Sequence, residues 1–79
     1  MTLEIITPEK EIFTGDVTSV KLPGSTGEFE ILNNHAAIVS TLTNGDIRII
    51  TSDNETVNVT IMGGVVEIQE NKIVVLANE

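Results

Sequence analysis

Seventy-nine residues suffice for one small domain spanning 1–79, and a chain of this size buries only about 60% of the surface its unfolded form exposes. With no cysteine and a single histidine it can build no disulfide, thiolate metal site, cysteine nucleophile or multi-histidine metal centre, and its two aromatics, Phe13 and Phe29, are too few to stack single-stranded nucleic acid. Twelve acidic residues against four basic ones give a net charge of −8, which repels nucleic-acid phosphates and anionic lipid surfaces, so no nucleic acid is expected as a partner.

No apolar run reaches the roughly 18 residues that a membrane-spanning helix needs. Met1-Thr2-Leu3-Glu4 lacks the basic start and long apolar stretch of a signal peptide, so a cytoplasmic location is the expectation. Thirty residues are Thr, Val or Ile, whose branching at Cβ suits a pleated sheet better than a helix. Alternation of apolar and polar residues confirms the preference, and no stretch of ten or more residues carries the three-and-four spacing of a helix.

In chain order, the first strand is predicted over 3–7 and ends at Pro8-Glu9. Strands over 10–14 and 17–22 follow, separated by Gly15-Asp16. Gly24-Ser25-Thr26-Gly27 superficially resembles a phosphate loop, but it lacks the Gly-Lys-Ser/Thr ending and a following helix, so it reads as a turn. A strand over 28–32 leads to Asn33-Asn34, one over 37–43 to Asn44-Gly45, and one over 46–51 to Asp53-Asn54. Strands over 56–62, 65–69 and 72–77 are separated by Gly63-Gly64 and Glu70-Asn71. Gly and Asn supply the positive φ of tight hairpins, and Pro presets φ.

A single open sheet of so many strands would expose a whole apolar face. The economical fold is therefore all-β, a flattened β-sandwich or barrel of eight to ten short, mostly antiparallel strands. Its predicted core holds Leu3, Ile5, Phe13, Val20, Leu22, Phe29, Ile31, Ile47, Ile49, Val57, Val59, Ile61, Val66, Ile68, Ile73 and Val75.

Chemistry is scarce. Catalysis requires a reactive group beside an activator, and no such pairing can be assembled, so no catalytic, cofactor-binding or metal-binding residue is assigned. Glu28 and Glu30 share a strand face, which fits either an acid/base pair or two solvated side chains; the solvated reading is preferred. His35 sits on a loop, where binding contacts concentrate, although on composition alone an exposed or locally hydrogen-bonded, inert loop histidine is the preferred reading. Gly63-Gly64 reads as a hairpin, with close backbone approach by a partner as the alternative. Asn54-Glu55-Thr56 and Asn58-Val59-Thr60 match the glycosylation triplet by chance if the chain is not secreted.

Five segments, taken together, resemble a family. They are Ile12-Phe13-Thr14-Gly15, then Gly24-Ser25-Thr26-Gly27-Glu28-Phe29-Glu30-Ile31-Leu32, Asn33-Asn34-His35-Ala36, Gly45-Asp46-Ile47-Arg48-Ile49, and Gly63-Gly64-Val65-Val66-Glu67-Ile68. In this order and spacing they are similar to the N-terminal β-sandwich domain of the epsilon subunit of bacterial F-type ATP synthase, over essentially the whole chain. Ala37 stands where the family usually has proline. The chain stops at Ala77-Asn78-Glu79, before the family's C-terminal helical hairpin, as either a naturally short form or a fragment would, and the ATP sensing and inhibition attributed to that hairpin are not assigned.

The resemblance implies a non-catalytic central-stalk subunit that needs no cofactor and links the gamma subunit to the membrane c-ring. It implies a peripheral position on the cytoplasmic face of the bacterial inner membrane, reached only through the complex. By position, Glu28 would face the c-ring loops, and His35 and Ala36 would lie in the gamma and ring contact region. Phe29, Ile31, Leu32 and Ile38 would support that edge from behind. A free-standing β-sandwich that binds a small ligand or carbohydrate is the alternative. It calls for an aromatic-lined concavity, for which two core phenylalanines are poor material.

Overall fold

The computed structural model describes residues 1–78; Glu79 lies outside them. Eight strands make up the fold: β1 (Thr2–Ile6), β2 (Glu11–Gly24), β3 (Gly27–Leu32), β4 (Ile38–Leu42), β5 (Gly45–Thr51), β6 (Thr56–Ile61), β7 (Gly63–Gln69) and β8 (Lys72–Asn78). They hydrogen-bond in the order β1-β8-β7-β4-β2-β5-β6, with β3 also on β2. An additional β1–β2 pairing closes the first five into a ring. All pairings are antiparallel except β1–β8. The result is the expected all-β, sandwich-like architecture.

The organising element is β2. Gly15-Asp16 does not break it: residues 11–16 pair with β1, residues 17–21 with β5 and residues 19–24 with β3, so one 14-residue strand serves both layers. The register slips between Val17 and Ser19. In a regular strand Val17 and Val20, three apart, would face opposite sides. The bulge inserts one residue and turns both into the core, where they are 1% and 0% exposed.

Gly63-Gly64 is not a hairpin either. β6 pairs only with β5 and β7 only with β4 and β8, so the chain crosses between layers at Met62. The crossing is fastened by Met62 N–H donating to Asn78 O at 2.7 Å. Gly64 has φ +155°, and a Cβ there would lie 2.3 Å from Leu76 O. The close backbone approach that glycine allows is therefore to the chain's own β8. Ser25-Thr26, by contrast, joins β2 to β3 in the expected tight turn, with Gly24 opposite Gly27. Glu70-Asn71 joins β7 to β8 with φ of 50° and 62°.

The two layers share one core built from every strand but with a narrower centre than predicted. Phe13, Phe29, Val57 and Val59 only pack against its rim, half-buried, while Val17, Leu42 and Ala77 join it. Val57 and Val59 fall short because β6 is an edge strand with no neighbour beyond it. The Phe29 ring instead covers Gly24, where a Cβ would meet it at 2.8 Å.

Candidate functional site: the two ends of strand β3

The strand β3 carries Glu28 near its start and leads at its end into the loop holding His35 and Ala36. At about 3.3 Å per residue, Glu28 and Leu32 alone are about 13 Å apart along the strand. The structure therefore does not gather the predicted site residues into one place. It sets Glu28 at one end of the domain and His35, Ala36 and Ile38 at the other.

At the first end the Ser25-Thr26 turn is braced against β4. Ser25 N–H donates to Thr41 O at 3.0 Å, Thr41 Oγ1–H to Ser25 Oγ at 3.0 Å, and Thr43 N–H to Pro23 O at 2.8 Å. Next to the turn, the exposed Glu28 pairs with Lys21 Nζ at 3.1 Å. Both partners remain substantially solvated, so the pair is worth only ~0–1 kcal/mol and leaves Glu28 free to exchange partners.

Two residues on, Glu30 is held harder. Its Oε2 accepts from Ser19 Oγ at 2.7 Å and from Arg48 Nη2 at 2.6 Å. The Ser19 hydroxyl first, then the Arg48 guanidinium and Lys21, hold its carboxyl below the ordinary glutamate range, against a smaller opposing effect of desolvation. Glu28 and Glu30 thus share a face, as predicted, but each has its own cation. Lys21 lies opposite both Glu30 and Arg48 in the sheet register, and Arg48 opposite Asn58, so a polar row crosses four strands. A sequence signal for this row existed: Lys21 and Arg48 are two of only four basic residues and both sit on the wet phase of their strands.

At the second end, residues 33–37 form the β3–β4 connection. Asn34 has φ 64°, and His35, Ala36 and Ala37 are exposed. The His35 ring approaches a backbone carbonyl, Nδ1 to Ala36 O at 2.8 Å, rather than a carboxylate or hydroxyl. Ile38 opens β4 opposite Ile68 and packs half-buried against the core, supporting the loop from below. Ile31 supports the edge fully buried, and Phe29 does so half-buried. Leu32 does not: it stands on the outer face opposite Ser19, 55% exposed.

One surface escaped the sequence reading. On the outer face of the β4-β7-β8-β1 layer, Thr41, Val65, Leu76 and Ile6 lie in one row across the sheet, and Val39, Glu67, Val74 and Glu4 in the next. Val39 is 70% exposed and Leu76 54%. Their alternation read simply as strand, and only the register shows that the outward apolar residues converge. Glu67 and Glu4 stand among these exposed apolar residues, so the face mixes apolar and acidic side chains.

Among the described residues no group of three or more His, Asp or Glu is placed to hold a metal ion, and no helix is long and apolar enough to cross a membrane. Surface hollows lie along β7–β8, beside β4, and between the β1–β2 turn and β8, and none of these is lined by an aromatic residue.

These features define a small, cross-braced β-sandwich that offers surfaces to other proteins. The chain belongs to the family of the ATP synthase delta/epsilon chain β-sandwich domain, whose family model matches residues 1–79. It is 48% identical over 77 residues to the ATP synthase epsilon chain of Campylobacter hominis, covering 96% of this chain and 59% of that protein. It is 38% identical over 78 residues to the ATP synthase epsilon chain of Chlorobaculum tepidum, covering 99% of this chain and 89% of that protein. The chain thus spans little more than half the length of some relatives and nearly all of others. Its fold is also that of a chain in the cryo-EM structure of the Tetrahymena thermophila mitochondrial ATP synthase central stalk and c-ring, with TM-score 0.83 and 21% identity over 100% of this chain and 63% of that one.

Proposed function

We propose that this chain is a non-catalytic rotor subunit of a bacterial F-type ATP synthase, linking a gamma-type stalk subunit to the c-ring so that ring rotation turns the stalk. Family membership over residues 1–79 is the observation that carries the reading. The geometry supports it in two ways. First, a linker needs separated contact surfaces, and β3 displays Glu28 at one end and His35 with Ala36 at the other. Second, torque passes only through a body that does not shear. Here β2 is hydrogen-bonded into both layers, and one core fills the space between them.

In this reading Glu28 faces basic loop residues of the c-ring, exchanging Lys21 for a cation of the partner. His35 and Ala36 lie in the gamma and ring contact region over the Ile38 support. The exposed Val39, Val65 and Leu76 on β4-β7-β8 add apolar area to the contact, and Glu67 and Glu4 beside them supply specificity. The domain works at the cytoplasmic face of the inner membrane, peripherally, through its partners and without a cofactor.

The test is charge reversal. Glu28→Lys should weaken retention on a purified c-ring–gamma complex while leaving the melting temperature within about 3 °C of the wild type, because an exposed pair contributes little to folding. Undiminished retention of Glu28→Lys removes Glu28 from the interface.

A further inference from the structure

We propose that Asn71 is a positioning residue for the His35 loop: its side-chain amide, at the tip of the β7–β8 hairpin, holds residues 33–36 in the conformation that docks. The proposal rests on the functional reading above and names what sets one of its two contact regions.

The two segments are far apart in sequence and joined by a compact set of hydrogen bonds. Asn71 Oδ1 accepts from Asn34 N–H at 2.8 Å, and Asn71 Nδ2–H donates to Asn33 Oδ1 at 3.2 Å. Asn33 Oδ1 also accepts from the Met1 amino group at 3.3 Å. The hairpin tip is itself a fixed point. Gln69 pairs with Lys72 across it, and Asn71 O accepts from Thr2 N–H at 3.1 Å, tying the tip to β1.

The turn alone does not explain the residue. With φ of 50° and 62° at Glu70 and Asn71, the turn requires a residue at 71 that tolerates positive φ, and glycine or aspartate would also serve. The asparagine amide accepts from Asn34 N–H and donates to Asn33 Oδ1 through two separate atoms, whereas glycine offers neither and an ionised aspartate only the acceptor. The loop has a matching need: Asn34 is itself held at φ 64°, and residues 35–37 carry no regular structure. Remove the amide and Asn34 N–H loses its acceptor. The loop then samples conformations in which His35 and Ala36 point elsewhere, and docking must bear the cost of reordering it.

Asn71→Gly preserves the turn and deletes the amide. Asn71→Asp keeps the acceptor for Asn34 N–H and loses the donor. Three readouts are taken on the 79-residue chain: melting temperature, hydrogen–deuterium exchange at the Asn34 amide, and affinity for a purified gamma–c-ring complex lacking its epsilon chain. Asn71→Gly should leave melting within a few degrees, speed Asn34 exchange about ten-fold and weaken binding about ten-fold, the scale of one or two lost hydrogen bonds. Asn71→Asp should recover most of the Asn34 protection.

Unchanged Asn34 exchange in Asn71→Gly overturns the tether. Faster exchange with unchanged affinity overturns its role in docking. If the wild-type chain itself fails to bind the complex, the functional reading falls and takes the docking role with it, while the exchange result still decides whether Asn71 holds the loop.

Discussion

Gly64→Ala is the sharpest perturbation the fold offers. Its added Cβ would sit 2.3 Å from Leu76 O and 3.1 Å from Ala77 Cα, both backbone atoms of β8 that no rotamer change can move aside. Reaching ordinary contact requires β8 to withdraw by about 1 Å where Gly64 pairs with Ala77. A withdrawal of that size loosens one or two ladder bonds, at about 1 kcal/mol each. Holding alanine at φ +155° adds strain of roughly 1–3 kcal/mol. Together they give about 2–5 kcal/mol, a large part of the ~4–12 kcal/mol that a domain of this size possesses. At about 4–8 °C per kcal/mol, thermal unfolding followed by circular dichroism should shift down by at least ~8 °C. Gly15→Ala is the internal control. Its Cβ would meet only the Phe13 ring, at 3.6 Å, with no positive φ to strain it, so it should leave melting unchanged or raise it slightly. A Gly64→Ala protein that melts with the wild type, or a Gly15→Ala protein that falls as far, would refute the β7–β8 close approach.

Other outcomes follow from the core and the charged row. Ile31→Ala, at a side chain with no exposed surface, should cost about 2–5 kcal/mol, read as a lower urea midpoint; an unshifted midpoint would show that β3 does not close the core. Because the folded-state carboxyl of Glu30 titrates below its unfolded value, its stabilisation is present above the ordinary glutamate pKa, about 4.3, and is lost as pH falls through the lowered folded value. Ser19→Ala removes the largest cause of that lowering, so the loss of melting temperature between pH 7 and pH 3 should be smaller than in the wild type; an unchanged pH dependence would exclude the Ser19–Glu30 bond as its source.

Alternation and turn chemistry made most of the fold legible in the sequence. The two misread glycine positions failed for one reason. Glycine marks freedom of the backbone, and freedom can serve a turn, a passing strand or a crossing between layers. Gly15 stays inside β2, whose length reflects tertiary pairing with β1, β5 and β3 in succession. Gly64 answers to Leu76, a residue that local sequence cannot see. Val17 was lost because its phase is set by a bulge, and bulges leave no period of their own.

The candidate site was legible only as residues. Glu28, His35, Ala36 and Ile38 were identifiable through resemblance, but their separation to opposite ends of β3 required the β2–β3 and β4–β7 registers. The cations on Glu28 and Glu30, the Asn71 hydrogen bonds to Asn33 and Asn34, and the exposed apolar residues of the outer face are all cross-strand facts. Each depends on which residues the register sets side by side.

The most direct measurement is co-purification: the chain is immobilised, incubated with detergent-solubilised membranes of its source, and the retained subunits are identified by mass spectrometry. The account expects a gamma-type subunit and the c-subunit to be retained together, with the c-subunit depleted when Glu28→Lys is the bait. Retention of neither stalk component, or substrate turnover by the isolated chain, would contradict it.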